Sequence, residues 1–207
     1  MKQIVDKIVS SPSLHARWLN TLSMMENAGA KKIKNCEDPV FVREIILKHS
    51  AEEARHAYYL KKQISKIEEN ACPTYENRYL LAPGTSYHYL NALDISICKY
   101  VKNTFGYSGY KLKYAAYLLV TYAIEVRADE LYPVYQDSLS LFSSNVTVKS
   151  IIAEEKNHLE EMILQLKEFS EDWEIMARYA IEAERILFEE WKNDLEQYLS
   201  TDQANDN

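Results

Sequence analysis

The sequence predicts an all-α fold: a four-helix bundle with a crossover helix and an additional C-terminal helix. Three observations predict it. Gly and Pro are scarce, four and five in 207 residues, which is too few for a turn-rich sheet protein. Apolar residues recur at spacings of three and four through most of the chain, the spacing of one helix face. One five-residue phrase is used twice: Glu52-Glu53-Ala54-Arg55-His56 returns 102 positions later as Glu154-Glu155-Lys156-Asn157-His158. The length suits one domain with a sizeable core. That domain is assigned to residues 1–199, and the polar tail 200–207 is expected to be disordered.

Six helices are expected. The first runs from about Ser13 to Lys34, started by Ser11-Pro12. The second follows Asp38-Pro39 and reaches about Glu69. Pro73, Pro83 and Gly84 mark the stretch from Asn70 to Thr85 as a loop. The third, about Ser86 to Asn103, stops before Gly106 and Gly109 and is the crossover that two antiparallel hairpins need. The fourth covers about Lys111 to Leu139 and is expected to kink or end at Pro133. The fifth runs from about Asn145 to Phe169 and the sixth from Glu171 to Leu199. In the sixth, Met176, Tyr179, Ala183, Ile186, Leu187 and Trp191 follow helical spacing, so one face is buried. That face either caps the bundle end or makes a homodimer contact.

The repeated phrase gains meaning from the stripes in which it lies. Val42, Ile46, His49, Glu53, His56, Leu60, Ile64 and Ile67 share one face of the second helix. Val148, Ile151, Glu155, His158, Met162, Leu166 and Phe169 share one face of the fifth. Both faces are apolar at their ends and carry Glu and His in the middle. Each hairpin has a partner Glu on its other arm. Glu26 sits among Leu19, Leu22, Ala30 and Ile33, and Glu125 among Tyr114, Leu118, Tyr122, Ala128 and Tyr132. The separations are near-equal, 27 residues from Glu26 to Glu53 and 30 from Glu125 to Glu155.

Ionised carboxylates in an apolar core cost several kcal/mol or more each unless compensated. Two divalent cations would offset four glutamates. The metal candidates are therefore Glu26, Glu53, His56, Glu125, Glu155 and His158. Oxygen and imidazole donors suit iron or manganese, and the lack of thiolate argues against structural zinc. Glu52 and Glu154 also lie within reach of the histidines, but they fall to the flank of each stripe and are assigned supporting or surface roles.

At these residues the chain resembles the ferritin-like di-iron carboxylate superfamily over about two thirds of its length. The resemblance implies that Glu53 and Glu155 bridge the metals, and that Glu26 and Glu125 are terminal ligands, each sharing an ion with a His. It implies two iron ions, with manganese possible, and reductive activation of O2. The function expected is oxidation or oxygenation of a small apolar or amphipathic substrate, with electrons from an external reductase or ferredoxin. The alternative is an iron-handling ferroxidase or peroxide-detoxifying protein without an organic substrate. The chain lacks the Cys-rich domain of a rubrerythrin, and its long insertion is unlike a storage ferritin.

Further candidates surround the ligands. His49, one turn before Glu53, is either a seventh ligand or a hydrogen-bonded core residue. Tyr122 and Tyr59 lie one turn from Glu125 and His56, although any one of 16 tyrosines is by default a packing residue. Asp129 is expected to accept from His56 or His158, since a metal-bound His usually donates its other N–H. Arg55 and Asn157 hold equivalent places in the two motifs.

Composition narrows the rest. A net charge of −7 argues against a nucleic-acid backbone as the main partner. Three cysteines without a C-x-x-C pair suit reduced thiols in a cytoplasmic protein. The apolar run at the N-terminus is too short for a signal peptide. No stretch is long enough for a transmembrane helix, so no membrane partner is expected.

Overall fold

A computed structural model describes the backbone of residues 1–205 and the side chains of residues 1–201. Among these residues there are seven α-helices and no strand, so the chain is all-α. They are α1 (Lys2–Val9), α2 (Pro12–Asn35), α3 (Glu44–Gln63), α4 (Pro83–Phe105), α5 (Gly109–Leu141), α6 (Lys149–Phe169) and α7 (Trp173–Asn205). None is long and apolar enough to cross a membrane.

Two hairpins dominate the packing, α2 against α3 and α5 against α6. In the first, small residues and hydroxyls bring the backbones together. Ser23 Oγ donates to Ala57 O at 2.6 Å, and Ser50 Oγ donates to Ala30 O at 3.2 Å. Such bonds satisfy helix polar groups that would otherwise be buried unpaired. α4 connects the two hairpins and packs on α2, α5 and α7.

The loop before α4 is held by α2. Asn20 Nδ2 donates to Thr74 O and Tyr79 O, both at 2.9 Å. Thr21 Oγ1 accepts from the N–H of Leu81 at 2.9 Å. Trp191 Nε1 donates to Ser86 Oγ at 2.8 Å, which ties α7 to the start of α4. Gly106 ends α4 at φ 67°, a left-handed conformation that glycine adopts without penalty.

Several boundaries differ from the sequence reading. α1 is an added helix. Its Ile4, Val5, Ile8 and Val9 are buried against α2 and α5, a helical face too short to stand out from sequence. α3 begins at Glu44 rather than after Asp38-Pro39, so Val42 is outside the helix and 46% exposed. Asp38 Oδ1 instead accepts from the N–H groups of Val40 and Phe41, closing a turn. α5 runs on beyond Pro133, whose missing N–H costs one helix bond without ending the helix.

α7 buries Met176, Ala180, Glu184, Phe188, Trp191, Leu195 and Leu199 along α4 and α5, whereas Ile186 faces solvent. The helix also continues through Ser200 and Thr201 to Asn205. Of the tail expected to be disordered, Asp206 and Asn207 lie outside the described residues.

Candidate metal centre

The four long helices of the two hairpins each turn a mid-helix glutamate toward one buried spot. α2 supplies Glu26, α3 supplies Glu53 and His56, α5 supplies Glu125, and α6 supplies Glu155 and His158. Glu53, His56, Glu125, Glu155 and His158 are buried, and Glu26 is half-buried. Ligand atoms of Glu53, Glu125, Glu155 and His158 all lie within 4.8 Å of one another, as do those of Glu26, Glu53 and His56. The two groups share Glu53. This buried Glu/His cluster could hold a metal ion.

Glu155 stands between the two imidazoles. Its Oε1 is 3.1 Å from His56 Nδ1 and its Oε2 is 3.2 Å from His158 Nδ1. Glu125 Oε1 lies 3.5 Å from the same His158 nitrogen. The outer nitrogens are held across the hairpins. His56 Nε2 meets Glu154 Oε2 at 2.8 Å, and His158 Nε2 meets Glu52 Oε2 at 2.9 Å. So the first glutamate of each Glu-Glu doublet grips the histidine of the other doublet.

This crossed pairing corrects the expectation for Asp129. That residue is exposed, because the inward face of α5 passes through Ala128 and Tyr132 instead. The flanking glutamates occupy the acceptor positions meant for it. Arg55 locks Glu154 with two bonds, Nη1 to Oε1 at 2.9 Å and Nη2 to Oε2 at 2.5 Å. Asn157, its counterpart, is exposed.

The other candidates are placed as follows. His49 has both nitrogens engaged, with Tyr117 Oη at 2.8 Å and Glu161 Oε2 at 2.9 Å, and is a hydrogen-bonded core residue. Tyr59 donates to Thr147 O at 3.0 Å, a link between α3 and the start of α6. Tyr122 is half-buried in the apolar core beside α4 and α7. The hydroxyl that does reach the cluster belongs to Tyr132, which donates to Glu26 Oε1. Tyr132 stands in the Glu125 stripe, two turns on, and that placement was the available signal.

Burial and the neighbouring charges set the titration of the cluster. Burial, followed by the charge of Glu26, pushes the Glu53 carboxyl well above the usual range. Burial and then Glu155 do the same to Glu125. Burial opposes the charge on His56, yet the adjacent Glu155 carboxylate and the field of Glu26 hold it up at about 9. His158 is raised in the same way by Glu155 and Glu52. Glu155 is held low despite burial, by its bonds with Glu125, His158 and His56.

Two buried atoms, one in each group, have no hydrogen-bond partner: His56 Nδ1 and Glu125 Oε2. The 3.1 Å approach of His56 Nδ1 to Glu155 is close enough for charge attraction but is poorly aligned for a hydrogen bond. An N–H at Nε2 given to Glu154 leaves the lone pair of the neutral ring at Nδ1, facing inward. These two unpaired lone-pair atoms and the all-oxygen-and-imidazole set fit a hard or borderline divalent cation.

A cavity of about 370 Å³ opens beside the cluster, between α2, α4 and α5. Glu26, Glu53, Glu125 and Tyr132 form its polar end. Leu22, Met25, Leu90, Val120, Ile124 and Leu131 make an apolar wall. Exposed Asn35 and Lys113 line its far end, with Lys32 and Cys36 beside them.

The fold and site thus define an all-α protein with a buried carboxylate–histidine cluster able to hold metal. Compared with known protein families, curated proteins and solved structures, the chain matches none.

Proposed function

We propose that α2, α3, α5 and α6 form a ferritin-like four-helix bundle holding two iron ions, with manganese the alternative, and that the protein activates O2 to oxidise a small apolar or amphipathic molecule. The observation that carries this reading is the apolar cavity ending on Glu26, Glu53 and Glu125. Ligand sites of this size with apolar walls and few convergent polar groups suit organic molecules.

Glu26 and His56 would hold one ion, Glu125 and His158 the other, and Glu53 and Glu155 would lie between them. When bound, the metal pair supplies the electrons and open coordination positions for O2 reduction. The chain supplies the rest. Glu154 and Glu52 keep each imidazole with its proton at Nε2 and its lone pair inward. The Tyr132 hydroxyl keeps a proton at Glu26 Oε1. The apolar wall excludes water and positions a substrate beside the glutamates. An external donor, a ferredoxin or a flavin reductase, would restore the reduced state.

Metal analysis by mass spectrometry tests the centre, on protein purified without chelator and reloaded with Fe(II). Two ions per chain are expected, and Glu53→Ala and His158→Ala should lose them. Well under one ion per chain, or two ions retained in both variants, overturns the assignment. Rapid consumption of O2 or peroxide with Fe(II) alone, together with assembly into a large shell, would move the reading to iron handling.

A further inference from the structure

The apolar cavity is walled by α2, α4 and α5. A second pocket lies between the end of α3 and the start of α6, and the two share no lining residue. This groove measures about 540 Å³, within the range of roughly 300–1,000 Å³ for small-molecule sites. His56 forms part of its wall. Three cations line it, Arg55, Lys62 and Lys66, and no acid does among the described residues. Arg55 is committed to Glu154, and Lys66 Nζ donates to Asn145 O at 3.2 Å. The ammonium of Lys62, an exposed residue, has no partner among the described residues. The neighbouring acids leave it so. Glu52 and Glu154 hold the two histidines, Glu53 and Glu155 belong to the cluster, and Glu68 and Glu69 follow Lys66 without lining the groove.

Across the groove, Ser150 and Ile151 line it from the first turn of α6. A helix start is normally met by a side-chain cap or an acid, which answer its free N–H groups. α6 has Val148 at its cap, no acid in its first turn, and Lys149 at its first position. The 3.5 Å bond from the Lys149 N–H to Thr147 Oγ1 is weak at that length. A cation at the positive end of a helix is unfavourable unless an anion joins it. Gln63 supplies an independent observation. It lines the groove and is 2% exposed. Its Nε2 donates to Thr147 O at 2.9 Å, while its Oε1 has no hydrogen-bond partner. A buried acceptor left unpaired costs about 1–3 kcal/mol, and a ligand N–H would answer it. Tyr58 and Tyr59 add aromatic surface to the same wall.

We infer that the groove between α3 and α6 binds a mononucleotide-like ligand, a phosphomonoester carried on a planar nitrogen heterocycle. The phosphate sits among Lys62, Lys66 and the uncapped start of α6. The ring lies against Tyr58, and a ring N–H is donated to Gln63 Oε1. The exocyclic amine of an adenine and the imide N–H of a flavin both meet this requirement. Inorganic phosphate alone answers the cations and the helix start, but neither Gln63 nor the tyrosines. The site stands apart from the proposed oxidation chemistry, and binding requires no metal.

Calorimetric titration of the full chain with AMP, with FMN and with inorganic phosphate tests it. EDTA in the buffer keeps metal–phosphate binding out of the reading, so the result is independent of the metal centre. At least one nucleotide should bind saturably and more tightly than phosphate, and which one binds separates an adenine from a flavin source. Lys62→Glu, at an exposed position, should weaken that binding about tenfold or more. Tyr58→Ala, at a residue 65% exposed, should weaken it about fivefold or more through lost stacking. No saturable binding of either nucleotide up to about 1 mM, or binding no tighter than that of phosphate, overturns the proposal. So does nucleotide binding that Lys62→Glu leaves undiminished.

Discussion

Replacing Glu53 by Gln should stabilise the metal-free protein and destabilise the metal-loaded one. Gln keeps the shape of the side chain and removes its charge. The folded carboxyl titrates well above its ordinary value of 4.5, through burial first and then Glu26. The unfolded chain therefore gives up this proton before the native state does. Stability is present below about pH 4.5 and is lost as pH rises toward the folded value. Relief of that penalty in Glu53→Gln should raise Tm at pH 7, by about 2–4 °C for each kcal/mol relieved in a chain of this size.

With metal the order reverses. A cation at about a hundred times its Kd stabilises the wild type by about 2.7 kcal/mol, and the variant lacks the glutamate shared by both ligand groups. Scanning calorimetry at pH 7 in EDTA and in Mn(II) measures both. A variant less stable than wild type in EDTA, or one that gains as much as wild type from Mn(II), would refute the argument.

Other expectations follow from the same structure. Glu52→Ala and Glu154→Ala free the outer nitrogens of His158 and His56, and each should weaken metal affinity about 10–100-fold in calorimetric titration while leaving the fold intact. His15 is held down to about 4 by burial. The unfolded chain thus binds this proton first, and stability present above pH 6.5 should fall by about 3 kcal/mol as pH drops to 4. His15→Gln should flatten that slope in urea titrations. Glu184 accepts two 2.8 Å bonds from Arg127 and also the Tyr89 hydroxyl. Glu184→Ala leaves the half-buried Arg127 guanidinium with Glu130 as its remaining carboxylate partner and strips the buried Tyr89 hydroxyl of its acceptor, and should cost about 1–3 kcal/mol by the same measurement.

The faces of the helices were legible because burial follows the same period of three and four as the sequence. Ile46, His49, Glu53, His56 and Leu60 were read as one inward face, and all are buried. Ends were less legible, because they are set by single bonds. Asp38 was read as a helix start, yet its carboxylate caps a turn that holds residues 40–42 out of α3. The burial of Ile4 and Val5 needs α5 as a partner, more than a hundred residues away. The crossed glutamates were half legible. The doublets were visible, but which glutamate meets which histidine depends on how two hairpins face each other. The Arg127–Glu184–Tyr89 group had no local signal, since its members lie on three helices.

The exchange of partners between Glu52 and Glu154 bears on how the protein is made. Glu26, Glu53 and His56 emerge together on the first hairpin, early in synthesis. At that stage nothing fixes the imidazole, because its acceptor lies 98 residues further along the chain. Each half of the molecule therefore withholds from the other the piece that completes its ligand geometry. On the proposed reading, a chain that has made only its first hairpin offers a cation an incomplete ligand set, and the set closes only when the second hairpin docks.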